Sequence, residues 1–380
     1  MSSGIQNKFL RYAPRDGLGD PPHNNFFQRL HLDPWLLFYI SLIAILGCIT
    51  LYSASGENTL LVSKQVMSFA IGLIIMVGLA QVSPKFYQAL SPSFYIFGLI
   101  SLVAVFLFGE TRLGAQRWIA IPGIGSIQPS EFMKLAMPMM AAWYLSKYPM
   151  PPTLLRIVII LILTIVPFLM IAKQPDLGTS ALVLASGIFV LFLSGLSWWF
   201  ISGTLVLASV FIPISWQFVL HDYQKKRVLT LFDPQSDALG SGWNIIQSKI
   251  AIGSGGTSGK GFLSGTQSHL HFLPEGHTDF IIAAYSEEFG FLGIILLILL
   301  YFAIIIRTMQ ISMQSFDNYG KLLAGGLGLA FFVYVFVNAG MVSGILPVTG
   351  IPLPFMSYGG TAVITLMASF GIVMSIHTHK

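Results

Sequence analysis

Long apolar runs broken by short polar stretches fill the chain from residue 34 onward. A bilayer core takes roughly 20 apolar residues per helix. Runs of that kind fall at 35–52, 65–82, 88–108, 131–146, 156–173, 177–196, 198–217, 279–306, 322–343 and 357–376. Lipid satisfies no backbone group, so each span is helical unless protein shields the irregular part. The expected fold class is all-α: a polytopic membrane helix bundle of about ten transmembrane helices, with a long extracytoplasmic loop at 218–278. Composition agrees with the pattern. Only 9% of residues are charged and 54% are hydrophobic, against about 25% charged in soluble domains. A water-soluble globule, a disordered chain, a collagen and a coiled coil are excluded. The single cysteine, Cys48, lies in an apolar run and rules out an intramolecular disulfide.

The polar arm 1–33 carries Lys8, Arg11, Arg15 and Arg29 and has no signal-peptide pattern, so it reads as a retained tail ahead of a membrane domain, 34–380. Ten spans place both termini on one side. On that side lie the four basic residues of the arm with Lys85, Lys147, Arg156, Arg307, Lys321 and Lys380. The short opposite loops hold Lys64, Arg112, Arg117 and Lys173. The positive-inside bias therefore assigns the termini to the cytoplasm and the long loop to the outside. In that loop Trp243, Ile245, Ile246, Ile250 and Phe262 suggest packing onto the membrane surface.

Ionisable groups within spans are costly and are functional candidates by default. Ser130 is an expected N-cap for a helix whose first turn holds Glu131, with Lys134 three residues on and on the same face. Arg112 and Arg117 precede them in the same outer loop. Lys173-Gln174-Pro175-Asp176 adds a cation and a carboxylate at the same level, and Asp176 could cap the following helix. His277-Thr278-Asp279 marks where the long loop re-enters the membrane, with Thr278 an expected cap and Glu287 and Glu288 further along. A salt bridge to a cation on another span would account for at least one of the two glutamates.

Other chemistries fit poorly. Gly259-Lys260-Gly261 lacks the Walker spacing, although its amides and Lys260 could still cradle a phosphate. His269, His271, His277 and Asp279 lack a zinc-hydrolase helix and a cysteine partner. No ring of like charge suits a channel. A transporter is the stronger rival, because Leu346–Pro354 would suit a re-entrant segment. Against it, the charges collect at one membrane edge.

Four stretches in this order carry a resemblance. They are Gln128-Pro129-Ser130-Glu131, Gln247–Gly256, Phe272–Phe280 with Pro274-Glu275-Gly276-His277-Thr278-Asp279 at its centre, and Pro352–Gly360. Together they resemble the SEDS family of bacterial cell-wall proteins, over essentially everything after residue 33. Asn338–Pro347 and Ser375–His379 resemble the elongation member of that family more than its division member.

The resemblance implies a peptidoglycan glycosyltransferase of the inner membrane. Such an enzyme polymerises lipid II, a disaccharide-pentapeptide on undecaprenyl pyrophosphate, at the outer face beside a class B penicillin-binding transpeptidase. An alternative for the family is a flippase of the same lipid. No nucleic-acid partner is implied. The resemblance puts the essential carboxylate, as general base, at Asp279. Candidate substrate-binding groups are Arg112, Arg117, Glu131, Lys134, Lys249, Lys260 and His277, with Arg117 and Lys134 ranked first for the pyrophosphate. A divalent cation, Mg²⁺ or Mn²⁺, could sit on Glu131 or Asp279 with lipid oxygens; no organic cofactor is expected.

Overall fold

In the computed structural model the described residues are 26–112, 115–121, 125–197, 222–237, 240–269, 272–273 and 275–379, with scattered positions between 200 and 217. Eleven helices longer than one turn organise them, numbered in chain order. They are α1 (Pro34–Ala54), α2 (Thr59–Ala80), α3 (Pro84–Phe108), α4 (Pro129–Ser146), α5 (Leu154–Lys173), α6 (Leu177–Leu193), α7 (Asp222–Phe232), α8 (Ser241–Ser254), α9 (Ile281–Gln314), α10 (Asn318–Val342) and α11 (Gly360–Thr378). Nine of these occupy expected spans; the remaining one, 198–217, falls almost wholly outside the described residues. Among the described residues seven helices are long and apolar enough to cross a membrane. The chain is an all-α membrane protein whose outer faces are greasy: Ile74 is 73% exposed, Leu155 70% and Phe108 76%. Such exposure suits lipid, not water.

Short polar caps set the helix starts. Asp33 accepts from the Leu36 amide (2.9 Å) ahead of Pro34, and Asn58 accepts from Leu60 and Leu61. Asp176 caps α6 through the Thr179 amide (3.1 Å), as the sequence suggested. Two expected caps are corrected. α4 starts two residues earlier than a Ser130 cap would have it, at Pro129, which needs no amide partner, and Ser130 is buried inside the helix. Thr278 instead donates to Glu275, and Phe280 stands at the start of α9 without a side-chain cap.

One element departs from the all-helical expectation. Three short strands, β1 (Glu110–Arg112), β2 (Ala115–Ile121) and β3 (Gly125–Ile127), form a small antiparallel sheet in the order β1-β2-β3. It sits at the entrance to α4 and carries Arg117 on its middle strand.

Helices approach closely where small residues allow it. A side chain at Gly47 on α1 would meet the backbone of Phe355 and Met356 at 2.8 Å. That glycine seats the irregular stretch between α10 and α11, the re-entrant segment expected from its prolines. Its polar backbone is satisfied by side chains: Tyr301 donates to the Pro354 carbonyl (2.6 Å) and Gln65 to the Ser357 carbonyl (3.1 Å). Non-helical backbone survives at membrane depth only under such cover.

Candidate active site

A cavity of about 480 Å³ opens where β2, the starts of α4 and α6, α7, the turn before α9 and the re-entrant segment converge. Arg117, Glu131, Asp176, Arg227, Glu275 and Asp279 supply its charged walls, with Trp118, Tyr334 and Tyr358 as aromatic ones.

Arg117 projects from β2 and is fixed by the 174–176 turn. Its Nε donates to the Gln174 carbonyl (3.2 Å), Nη2 to the Pro175 carbonyl, and Nη1 lies 3.9 Å from Asp176. Asp176 also accepts from Gln128 (2.9 Å) while capping α6. One turn into α4, Lys134 Nζ is held between Glu131 Oε1 (2.6 Å) and the Tyr334 hydroxyl (2.8 Å). The second oxygen of Glu131, Oε2, is buried and makes no hydrogen bond among the described residues.

Asp279 faces this cavity from the turn that leads into α9, with Gly350 opposite its Oδ2. Burial, and secondarily the Glu275 carboxylate, push its carboxyl up from 3.8 to about 6, while the Arg227 guanidinium pulls the other way. Arg227 reaches in from α7 and donates to the Val348 carbonyl (3.1 Å). Among the four carboxylates on the cavity wall, Asp279 is thus the one raised toward neutral pH, with Arg227 acting on it and Arg117 on the same wall.

The expected residues divide. Arg117, Glu131 and Asp279 meet at the cavity, and Lys134 stands behind Glu131. Its ammonium is held by Glu131 and Tyr334 and is not on the cavity wall, whereas Arg117 and Arg227 both line it. His277 contributes its carbonyl, which accepts from the Tyr358 amide (3.1 Å). Lys249 is exposed on α8 beside Gly344 and lines no part of the cavity.

Lys260 is elsewhere too, 2.6 Å from Glu287, whose carboxylate is fully buried. The expected salt bridge to a glutamate therefore exists, but its cation comes from the loop rather than from another span. The amides of Lys260 and Gly261 donate to the Glu287 and Glu288 carbonyls, so these two amides serve the protein's own backbone. Arg112 lies on β1, its side chain outside the described residues. His271 and the side chain of His269 lie outside them as well, and among the described residues no cluster of three His, Cys, Asp or Glu could hold a metal.

Sequence reasoning missed Arg227, Tyr334 and Tyr358. The Lys225-Lys226-Arg227 triplet on an amphipathic stretch was a usable signal for the first. A lone tyrosine in an apolar span gave none.

A profile of the FtsW/RodA/SpoVE family, described as cell cycle protein, matches residues 33–380. The chain belongs to the FtsW/RodA/SpoVE family. It is 52% identical over 361 residues to the peptidoglycan glycosyltransferase MrdB of Escherichia coli K12, covering 95% of this chain and 97% of MrdB. A chain solved in a peptidoglycan synthase complex, studied for its coordination of polymerization and crosslinking, superposes with a TM-score of 0.80 at 28% identity, over 91% of this chain and 97% of its own. The rod shape determining protein RodA of Thermus thermophilus superposes with a TM-score of 0.68 at 26% identity, over 91% and 96%. The family profile spans the cavity and every helix that builds it.

Proposed function

We infer that this chain is a peptidoglycan glycosyltransferase that extends glycan strands during cell elongation and shape maintenance. One observation carries the reading: Asp279, its carboxyl raised by burial, shares a cavity at the edge of the membrane bundle with Arg117 and Arg227. Family membership, with MrdB-type relatives named for that activity, agrees with it.

The substrate is lipid II, and transfer from its diphosphate to a sugar hydroxyl gives a β link by inversion. Such a transfer needs a base on the acceptor hydroxyl and positive charge on the departing diphosphate. Asp279 takes the hydroxyl proton. A carboxyl at about 6 is ionised at neutral pH yet more basic than an ordinary aspartate, which favours general-base work. Arg117 and Arg227 bind the diphosphate oxygens; arginine's planar fork suits two phosphate oxygens at once. The apolar bundle beside the cavity takes the lipid.

A divalent cation fits the donor set in one mode. Mg²⁺ commonly uses one or two carboxylates, waters and substrate phosphates, and the buried, unbonded Oε2 of Glu131 offers an oxygen of that kind. Glu131 and Asp279 would hold it, and it would supply charge to the diphosphate.

The orientation follows the basic residues: termini in the cytoplasm, cavity at the outer face of the inner membrane, where a class B penicillin-binding transpeptidase crosslinks the product. Transport would instead need a polar route through the bilayer, and Glu287 and Glu288 are committed to Lys260 and Ser53.

The test is purified protein with lipid II in detergent, products resolved on a gel. Glycan ladders with the wild type and none with Asp279→Asn support the reading. Ladders of equal length from both remove Asp279 from the chemistry, and no ladder from the wild type with the transpeptidase supplied removes the activity.

A further inference from the structure

The helical stretch 281–289, with Asp279 just ahead of it, is mounted separately from the rest of α9. Gly290 breaks the helix at φ +67°, ψ −164°, a backbone region that essentially only glycine adopts. A helix break leaves amides and carbonyls without partners. Here the glycine-rich loop supplies them: Lys260 N donates to Glu287 O and Gly261 N to Glu288 O (3.0 Å each). In return Phe291 N and Leu292 N donate to Gly256 O (2.9 Å) and Thr257 O (3.1 Å). The Glu287 carboxylate adds Lys260 Nζ (2.6 Å), Thr266 N and Oγ1 (2.9 Å each) and Gln267 N (3.1 Å). From the other side Ser53 on α1 donates to Glu288. The tail of the stretch is pinned.

The head is held by the Tyr358 amide on the His277 carbonyl, by Phe280 in a buried cluster with Met341 and Val342, and by one polar side chain that reaches the Asp279 backbone. Asn338 on α10 is fully buried, and its Nδ2 donates both to the Asp279 carbonyl (2.8 Å) and to the Ile351 carbonyl (2.7 Å). Two carbonyl acceptors require the amide nitrogen at that place. Ile351 lies on the cavity wall opposite, so Asn338 ties the acid to that wall.

We propose that Asn338 is a positioning residue, setting where the Asp279 carboxylate stands relative to the Arg117 and Arg227 side of the cavity. The proposal rests on the reading of Asp279 as the base. The eight-residue separation from Asp279 to Glu287 makes a lever of about 12 Å at 1.5 Å per residue. With the tail fixed, a tilt of about 5° moves the head by about 1 Å, and a misplacement of that size costs about 10²-fold in rate. Binding of the substrate uses the arginines and the apolar bundle, whereas both Nδ2 hydrogen bonds of Asn338 go to the backbone carbonyls of Asp279 and Ile351. Its loss therefore falls on turnover.

The experiment compares full-length wild type, Asn338→Leu and Asn338→Ala with lipid II in detergent, beside Asp279→Asn. Leucine keeps the volume without a donor. Alanine leaves room for a water between the two carbonyls and keeps the test alive if leucine does not fold. Both should lose about 10- to 100-fold in kcat with KM changed less than about 2-fold. One equivalent of lipid II should still bind per chain, and faster hydrogen exchange should be confined to 275–281 and 351–353. Wild-type kcat in either folded variant overturns the proposal. So does a loss that tracks the bound equivalent, with exchange rising throughout α10, because that is unfolding. Normal polymerisation by Asp279→Asn would instead overturn the base reading, whatever the Asn338 variants do.

Discussion

Replacing Asp279 by asparagine exchanges one carboxylate oxygen for an amide and should separate two properties that usually fall together. The folded chain holds this carboxyl at about 6, against an ordinary 3.8, chiefly because it is buried and next because Glu275 faces it. Above pH 6 the native state therefore carries a charge that the unfolded chain solvates better, so ionised Asp279 lowers stability there. Below about 4 both states are protonated and the penalty is gone. The gap is about two pH units, worth at most about 3 kcal/mol at 1.4 kcal/mol per unit. The cavity is open to water, which screens the charge and leaves about 1–2 kcal/mol. Asparagine carries no charge at any pH. Asp279→Asn should thus melt about 1–3 °C higher than wild type near pH 8, and the gain should vanish near pH 4. Over the same range its polymerisation should be about 10²–10⁴-fold slower, the usual worth of a positioned base. Thermal unfolding in one detergent at the two pH values, with gel-resolved polymerisation at the higher, measures both. A variant that is destabilised equally at both pH values refutes the electrostatic argument, and one that polymerises normally refutes the catalytic one.

Other outcomes follow from the same geometry. The acid limb of the rate profile should rise through about 6, because only ionised Asp279 accepts a proton. In Arg227→Ala that limb should move to higher pH, since the removed cation is the group that opposes the shift; an unmoved limb would separate Arg227 from Asp279. Lys134→Met leaves the Glu131 carboxylate buried without its cation and should cost about 3–5 kcal/mol, whereas Lys134→Met with Glu131→Gln should recover much of it; chemical denaturation of the single and double variants checks this. Chelation should reduce polymerisation and Mg²⁺ restore it, with Glu131→Gln needing more of the ion; full activity in excess chelator would dispose of the cation.

Much of the fold was legible because lipid leaves the backbone little choice. Apolar runs had to be helices, and their positions match α1 to α6 and α9 to α11. The hairpin carrying Arg117 escaped notice, since residues 110–127 are short, glycine-broken and mixed in character. Asp279, Glu131 and Arg117 stood out as charges beside apolar runs. Lys249 and Lys260 stood out for the same reason and do not belong with them. A loop cation next to a membrane looks alike in sequence whether it meets a phosphate or, as Lys260 does, a buried glutamate eight residues beyond the acid.

The order of apolar and polar residues by itself determined that the chain is a helical membrane bundle and that ionisable groups gather at one edge. It could not determine which of those groups share a cavity, because hydropathy constrains each helix along its own axis and says nothing of its rotation or neighbours. Tertiary packing decided that Arg227, on an amphipathic helix far from the other motifs, lines the same cavity as Arg117. It also decided that Lys134 is paired with Glu131 and hydrogen-bonded to Tyr334. The break at Gly290 belongs to that second class as well: a glycine in an apolar run permits a kink, but only the docked loop supplies the hydrogen bonds that make one stable.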